Sequence, residues 1–202
     1  MLFIYNPMAG KEQIKSKLSD IVQIFCKSGF EITIFATQGP EDATNIVQER
    51  GEEYDYIVCS GGDGTMNEVA TGYMNITKKP ICGYIPAGTV NDFASSLKIP
   101  KIMKKAAQLI TQGSVFRCDL GQFNDRYFTY VCGFGAFTEV SYQTPQEWKN
   151  ALGKAAYFIE ALKHIAEIKA HHMKIIYDGN EIEDNFILGL VSNSVSVAGY
   201  KA

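Results

Sequence analysis

Tyr56-Ile-Val-Cys-Ser-Gly-Gly-Asp-Gly-Thr-Met-Asn-Glu68 decides the reading of this chain. Its apolar start, Tyr56 to Cys59, reads as a buried strand, and the stretch from Asn67 to Thr71 reads as the opening of a helix. A glycine-rich turn between strand and helix lets backbone N–H groups approach phosphate oxygens without interference from Cβ atoms. Asp63, inside that turn, is out of place in a plain anion cradle. A carboxylate beside phosphates suits a bridging Mg²⁺, or a proton accepted from an attacking hydroxyl. The segment points to phosphoryl transfer.

Working outward, the first hundred residues alternate strand and helix patterns. Leu2-Phe-Ile-Tyr5 is a short apolar strand that ends in the turn signal Asn6-Pro7. Ile14, Leu18, Ile21, Val22 and Phe25 recur at helical spacing, Glu31 to Ala36 alternates like a strand, and 40–50 reads as a helix opened by Pro40. Ile81 to Ile85 is a fourth strand, followed by Pro86-Ala-Gly-Thr-Val-Asn-Asp-Phe93 and more helix to about 112. Such alternation predicts an α/β fold, a parallel sheet covered by helices. Ligands of these sheets bind beyond the carboxyl ends of the strands, where the Asn6, Gly61 and Pro86 turns all lie.

The rhythm changes near residue 113. Residues 114–123 and 126–132 are strand-like around an Asn124-Asp125 turn, and 147–170 carries a helical apolar face. Asp178-Gly179 marks a second hairpin, and a last strand-like run spans 186–191. Two domains are expected, 1–115 and a β-rich 116–202. Gly133 and Gly135, flanking Phe134, are assigned to packing or a bulge.

Composition excludes several classes. Apolar residues make up 46% and charged residues 20%, ordinary for a globular protein. A formal charge of −3 argues against a general nucleic-acid binder. Apolar runs fall far short of the ~20 residues that span a bilayer, and Met1 to Tyr5 lacks the basic start of a signal peptide. Cys26, Cys59, Cys82, Cys118 and Cys132 have no metal-ligand spacing, which fits reduced, buried thiols in a cytosolic protein.

Four segments in order, Asn6-Pro-Met-Ala-Gly10, Gly61-Gly-Asp-Gly-Thr-Met-Asn-Glu68, Pro86 to Ala94 and Asp119-Leu-Gly121, resemble the diacylglycerol kinase-like lipid kinases of bacteria. The resemblance runs from the first strand to residue 200. It implies a nucleotide-binding α/β domain of the NAD kinase/diacylglycerol kinase type joined to a β-sandwich, here incomplete. ATP and Mg²⁺ are the implied cofactors, and a lipid hydroxyl, most simply that of diacylglycerol, is the implied acceptor. By position, Asn6, Pro7, Met8, Ala9 and Gly10, Thr37, Gly61, Gly62, Asp63, Gly64, Thr65, Met66, Asn67 and Glu68, and Thr89 are expected to contact the nucleotide. Asp63, Asp92 and Asp119 resemble three acids that organise Mg²⁺ and its waters, and they are the expected catalytic and metal residues. Converging carboxylates repel unless a cation or a proton sits among them.

Plainer readings stand beside these. Asp63 and Asp92 are good N-caps for the helices that follow them, and Asp119 suits a surface ion pair. Glu68 belongs in a first helical turn on dipole grounds alone. Lys11 is either a phosphate or lipid contact or a solvated lysine, and the basic 147–172 stretch, with Trp148, reads first as an outer helix face. Two other functions share the glycine turn: a soluble-substrate kinase of the NAD kinase type, and a non-catalytic nucleotide- or lipid-binding module. The Asn6-Pro7 turn and the Asn91-Asp92 pair weigh against the first.

The resemblance stops at residue 202. Members of that family continue for roughly another hundred residues of β-rich chain, which would complete the sandwich, hold a structural Mg²⁺ and supply a glutamate base. Asp63 is the one candidate base within this chain. The implied setting is cytoplasmic, with transient peripheral contact at a membrane surface; a homodimer is allowed, and nucleic acid is not expected.

Overall fold

Alternating apolar residues in the early strands build a sheet buried on both faces. The computed structural model describes residues 1–135, 169–193, 196–197 and 200–201. Residues 147–168 of the expected 147–170 helix, with Trp148, lie outside these residues, and 169–170 are not helical. Strands β1 (Leu2–Tyr5), β2 (Thr33–Ala36), β3 (Tyr56–Gly61) and β4 (Ile81–Pro86) form a parallel sheet in the order β2-β1-β3-β4. The register runs Leu2 beside Thr33 and Ile57, and Tyr56 beside Ile81.

Period two along the strands sends neighbouring side chains to opposite layers. Leu2, Ile4, Ile57 and Cys59 join Ala43, Val47, Met66 and Val69 under α2 (Asp42–Arg50) and α3 (Asp63–Met74). Phe3, Val58 and Ile85 face the other way. They join Ile14, Ile21 and Phe25 of α1 (Ile14–Lys27) with Met103, Ala106 and Ala107 of α5 (Met103–Gln112). The helical spacing of Ile14, Leu18, Ile21 and Phe25 is thus the buried stripe of α1. Each fully buried large side chain contributes about 1.5–3 kcal/mol to holding the helices on the sheet.

The expected helix after Pro86 is divided. A short α4 (Asp92–Ser96) stops at Lys98, whose φ is +57°, and α5 starts only after Ile99-Pro100. Proline disfavours helical geometry in the residue before it, so the pattern cannot run through.

The strand-like 114–123 run pairs only at its end. β5 (Gly121–Phe123) and β6 (Arg126–Phe128) form an antiparallel hairpin around Asn124-Asp125. Val115 and Phe116 have strand-forming side chains but no partner strand among the described residues, and they stay exposed. β7 (Val131–Gly135) pairs with β10 (Leu188–Ser192), and β8 (His171–Tyr177) pairs antiparallel with β9 (Asn180–Phe186) through the Asp178-Gly179 turn. At Gly135 a Cβ would meet the Ile187 carbonyl, so this glycine does serve packing. Two short strands, β11 (Ser196–Val197) and β12 (Tyr200–Lys201), also pair antiparallel.

The chain divides into two compact units, residues 1–131 with 192–202, and residues 132–191. All five cysteines are free, with Cys59 buried, Cys132 half-buried and the other three exposed, so burial holds for fewer thiols than expected. Among the described residues, no helix is long and apolar enough to cross a membrane.

Candidate nucleotide site

Strand order β2-β1-β3-β4 reverses direction of winding between β1 and β3, and at such a switch point the two following loops diverge to leave a crevice. A cavity of about 290 Å³ lies there, lined by Asn6, Met8, Thr37, Gln38, Gly39, Pro40, Thr65 and Glu68. That is near the lower end of the range for small-molecule sites, ~300 Å³. Five of the expected nucleotide residues therefore share one wall: Asn6, Met8, Thr37, Thr65 and Glu68.

Local bonds hold this wall. The Asn6 amide N–H donates to the Ser60 carbonyl at 2.9 Å, its side-chain oxygen accepts from Met8 N at 2.9 Å, and its Nδ2 reaches Thr65 Oγ1 at 3.3 Å. Thr37 N donates to the Tyr5 carbonyl at 3.0 Å. Asp42 Oδ2 accepts from the amides of Gln38 and Gly39, so those amides are already spoken for. Glu68 Oε2 accepts from Ala43 N at 3.3 Å, which makes Glu68 a support for the start of α2 as well as a lining residue.

The three loops touch backbone to backbone. A Cβ on Gly88 would sit 2.6 Å from Gly62 Cα, and one on Gly10 would sit 2.4 Å from the Ala87 carbonyl oxygen. Glycine is required here by close approach. At Gly64, in contrast, a Cβ would meet nothing within 4 Å, so its face of the turn is open. The amides of Asp63, Gly64 and Thr65 open α3 and have no intrahelical acceptor, which leaves N–H groups and the positive helix end at that face.

Asp63 does something neither sequence reading anticipated. Gly62 occupies the N-cap position of α3 and no side chain caps that helix. The Asp63 carboxylate reaches instead to α4, accepting from Asp92 N at 3.1 Å and Phe93 N at 3.2 Å. Burial raises its carboxyl above the ordinary range; the two amide donors oppose this, and the neighbouring Asp92 charge adds to it. Asp92 is 8% exposed, and its carboxylate accepts no hydrogen bond among the described residues. Nor does Asp92 cap α4, since it is the first helical residue and Asn91 precedes it with φ +56°.

Asp63 and Asp92 are thus brought together, but Asp119 is not gathered with them. Among the described residues, no three acidic, histidine or cysteine side chains form a metal-holding group. Asp119 is exposed, and its recorded partner is Asn193, whose Nδ2 donates to the Asp119 backbone carbonyl at 2.7 Å.

Residues 1–123 match the family described as "Diacylglycerol kinase catalytic domain". The chain belongs to this family. It is 39% identical over 200 residues to a diacylglycerol kinase of Staphylococcus aureus (strain bovine RF122 / ET3-1), covering 98% of this chain and 63% of that protein. A diacylglycerol kinase of the JH9 strain is 38% identical over the same shares. The crystal structure of a diacylglycerol kinase from Bacillus anthracis (strain Sterne) superposes with a TM-score of 0.78 at 31% identity, covering all of this chain and 66% of that one. The chain therefore spans somewhat under two thirds of the length of these curated relatives.

Within this family frame, two polar residues stand out that the sequence reading did not assign. Asn91 Oδ1 accepts from Gly88 N at 2.9 Å while its Nδ2 returns to the Gly88 carbonyl at 2.6 Å, locking the third loop. Tyr84 lies beneath, with its hydroxyl donating to the Gly61 carbonyl at 3.2 Å, and burial keeps that hydroxyl neutral by raising its pKa. The Gly88–Asn91 spacing was visible in sequence, but the Tyr84 contact spans 23 residues and leaves no local signal.

Proposed function

We propose that the protein is an ATP- and Mg²⁺-dependent lipid kinase that transfers the γ-phosphate to a lipid hydroxyl, with diacylglycerol as acceptor and phosphatidic acid as product. The observation that carries this reading is the glycine turn itself: Thr65 lines the switch-point cavity, the face of Gly64 is open, and the free first-turn amides of α3 stand beside the half-buried Asp63 and its buried neighbour Asp92. Family membership supports the same reaction class.

The residues fit the cofactors in different degrees. Glycine backbones and unpaired amides suit a polyphosphate, because no Cβ blocks the approach at Gly64. For the metal, the described residues bring together two acids, not three. Mg²⁺ keeps several waters and commonly takes only one or two carboxylates plus substrate phosphates, so Asp63 and Asp92 suit an ion carried in with the nucleotide. Bound Mg²⁺–ATP supplies the transferable phosphoryl group and the charge that screens its oxygens.

This chain's own residues bind and orient. The α3 amides donate to phosphate oxygens, Thr65 and Asn6 shape the first loop around them, and Thr37 borders the remainder of the nucleotide. Asp92 has no donor on its carboxylate among the described residues, so its oxygens are free to take a cation. Asp63, raised by burial and in reach of the same space, is the proton acceptor available in this chain for the attacking hydroxyl. Contact with a membrane surface follows from the acceptor's chemistry.

The test is Asp63→Asn, assayed with labelled ATP against a mixed lipid extract and, in parallel, NAD. Lipid phosphorylation is expected in the parent protein and should fall at least a hundredfold in the variant. Asparagine keeps one acceptor oxygen but turns its NH2 toward the other α4 amide, at a cost of about 1–3 kcal/mol, so a thermal melt beside the assay separates lost folding from lost chemistry. Retained turnover would remove Asp63 from the mechanism, and turnover of NAD in place of lipid would overturn the assignment.

A further inference from the structure

The sequence reading places Asn67 among the nucleotide contacts, but its side chain is committed elsewhere. Asn67 Oδ1 accepts two bonds from one residue, Thr129 N and Thr129 Oγ1, both at 2.9 Å. One turn further along α3, Thr71 Oγ1 accepts from Tyr127 N at 3.0 Å. Asn193 then takes hold of the backbone between β6 and β7. Its amide donates to the Tyr130 carbonyl at 2.8 Å, and its Nδ2 donates to the carbonyls of Thr129 at 3.3 Å and Asp119 at 2.7 Å.

These residues occupy particular places in the chain. Thr129 and Tyr130 come just before the point where the chain leaves residues 1–131, and Asn193 comes just after its return from 132–191. Thr129 is 1% exposed, so losing its partners would strand a buried donor at a cost that water does not offset. Asn67 sits four residues after Asp63 in the helix that the glycine turn opens.

We infer that Asn67 is a positioning residue and not a nucleotide contact: its side chain ties the helix of the glycine turn to both points where the chain crosses to and from residues 132–191, and Asn193 closes the tie. Any ligand that orders the first turn of α3 then also orders the two crossings, and the coupling is reciprocal. The tie itself is independent of the kinase reading; its response to nucleotide rests on that reading.

The chemistry at each end makes the two asparagines behave oppositely. Asn67 acts only as an acceptor, so Asn67→Asp keeps the tie and Asn67→Leu breaks it. Asn193 acts through Nδ2 as a donor to two carbonyls, so Asn193→Asp sets a carboxylate against carbonyl oxygens and breaks it.

Amide hydrogen exchange on the full chain tests this, with and without Mg²⁺–ATP. Without nucleotide, Asn67→Leu and Asn193→Asp should each speed exchange at Thr129 and at residue 193 at least tenfold, while β1 and β3 amides keep their rates. Asn67→Asp should match the parent protein. With nucleotide, the parent and Asn67→Asp should show severalfold slower exchange at residue 193, and Asn67→Leu should lose that response while residues 61–66 still respond. Parent-like exchange at Thr129 in Asn67→Leu overturns the inference, as does loosening of the whole sheet or an Asn67→Asp variant that behaves like Asn67→Leu. Silence at residues 61–66 in the parent protein strikes the kinase reading instead, and the nucleotide-free comparison still decides the tie.

Discussion

The β1–β4 sheet and the β8–β9 hairpin are both built from alternating residues, yet they use the alternation differently. In β1 and β3 both alternating sets are apolar, and each set is sealed under a pair of helices. In the hairpin the two sets differ in kind. Met173, Ile175, Tyr177, Ile182 and Phe186 fall on one face by register, with His171, Asn180 and Asp184 at its margins, while Lys174, Glu181, Glu183 and His172 share the other with Asn185 and Ile176. Lys174 pairs with Glu181 at 2.7 Å, and His172 lies 3.1 Å from Glu183. Tyr177 and Ile182 on the apolar face are exposed. A strand pattern thus fixes which residues share a face, and a second layer is needed before that face contributes burial.

The largest expected contrast between the two regions comes from truncating an apolar side chain in each. Phe3, fully buried, packs edge-on against Phe25 with ring centroids 5.9 Å apart. Phe3→Ala should cost about 3–5 kcal/mol, whereas Ile176→Ala, at a side chain 69% exposed, should stay within about 0.5 kcal/mol. Urea unfolding of both variants measures this, and equal losses would erase the contrast.

A smaller contrast comes from adding one methyl group to a glycine in each region. Gly88→Ala meets the Gly62 backbone and Asn91 Oδ1 at 2.8 Å, with no flexible side chain to yield. It should cost about 1–3 kcal/mol and weaken ATP binding tenfold or more. Gly179→Ala finds open space but a φ of +78°, so only the backbone conformation resists, at about 1 kcal/mol and with no change in ATP binding. Titration calorimetry alongside thermal melts separates the two, and loss of binding in both would point to a general destabilisation.

Much of the sheet was legible because periodic burial writes itself into periodic sequence. The four strands along the chain, their parallel pairing, the three strand-end turns and both hairpin turns followed from that; the order β2-β1-β3-β4 within the sheet did not. The site was legible where a glycine turn implied backbone donors, as at Gly61 to Thr65. It was not legible where a side chain bonds across long stretches of chain. Asp63 capping α4, Asn67 holding Thr129 and Asn193 holding Asp119 span 29, 62 and 74 residues, and no local pattern encodes them. The division of the 93–112 run was present in Pro100, whose effect on Ile99 the helical periodicity masked.

The smallest effect is expected at Ser60, whose Oγ is buried without a hydrogen-bond partner. No residue of the hairpin's exposed faces carries such a burden among the described residues. Ser60→Ala should leave stability unchanged or raise it by up to about 1 kcal/mol, since it removes a desolvated hydroxyl and little volume. A clear loss in a thermal melt would mean that the hydroxyl has a partner in solution.

The carboxylate of Asp63 spends one acceptor position per oxygen on α4. A carboxylate offers about four such positions, so roughly two remain on its outward side. A cation or a hydroxyl can arrive and depart there while both amide bonds persist. Ligand exchange at this carboxylate and unwinding of α4 are therefore separate events, and turnover need not wait on the slower clock of helix opening.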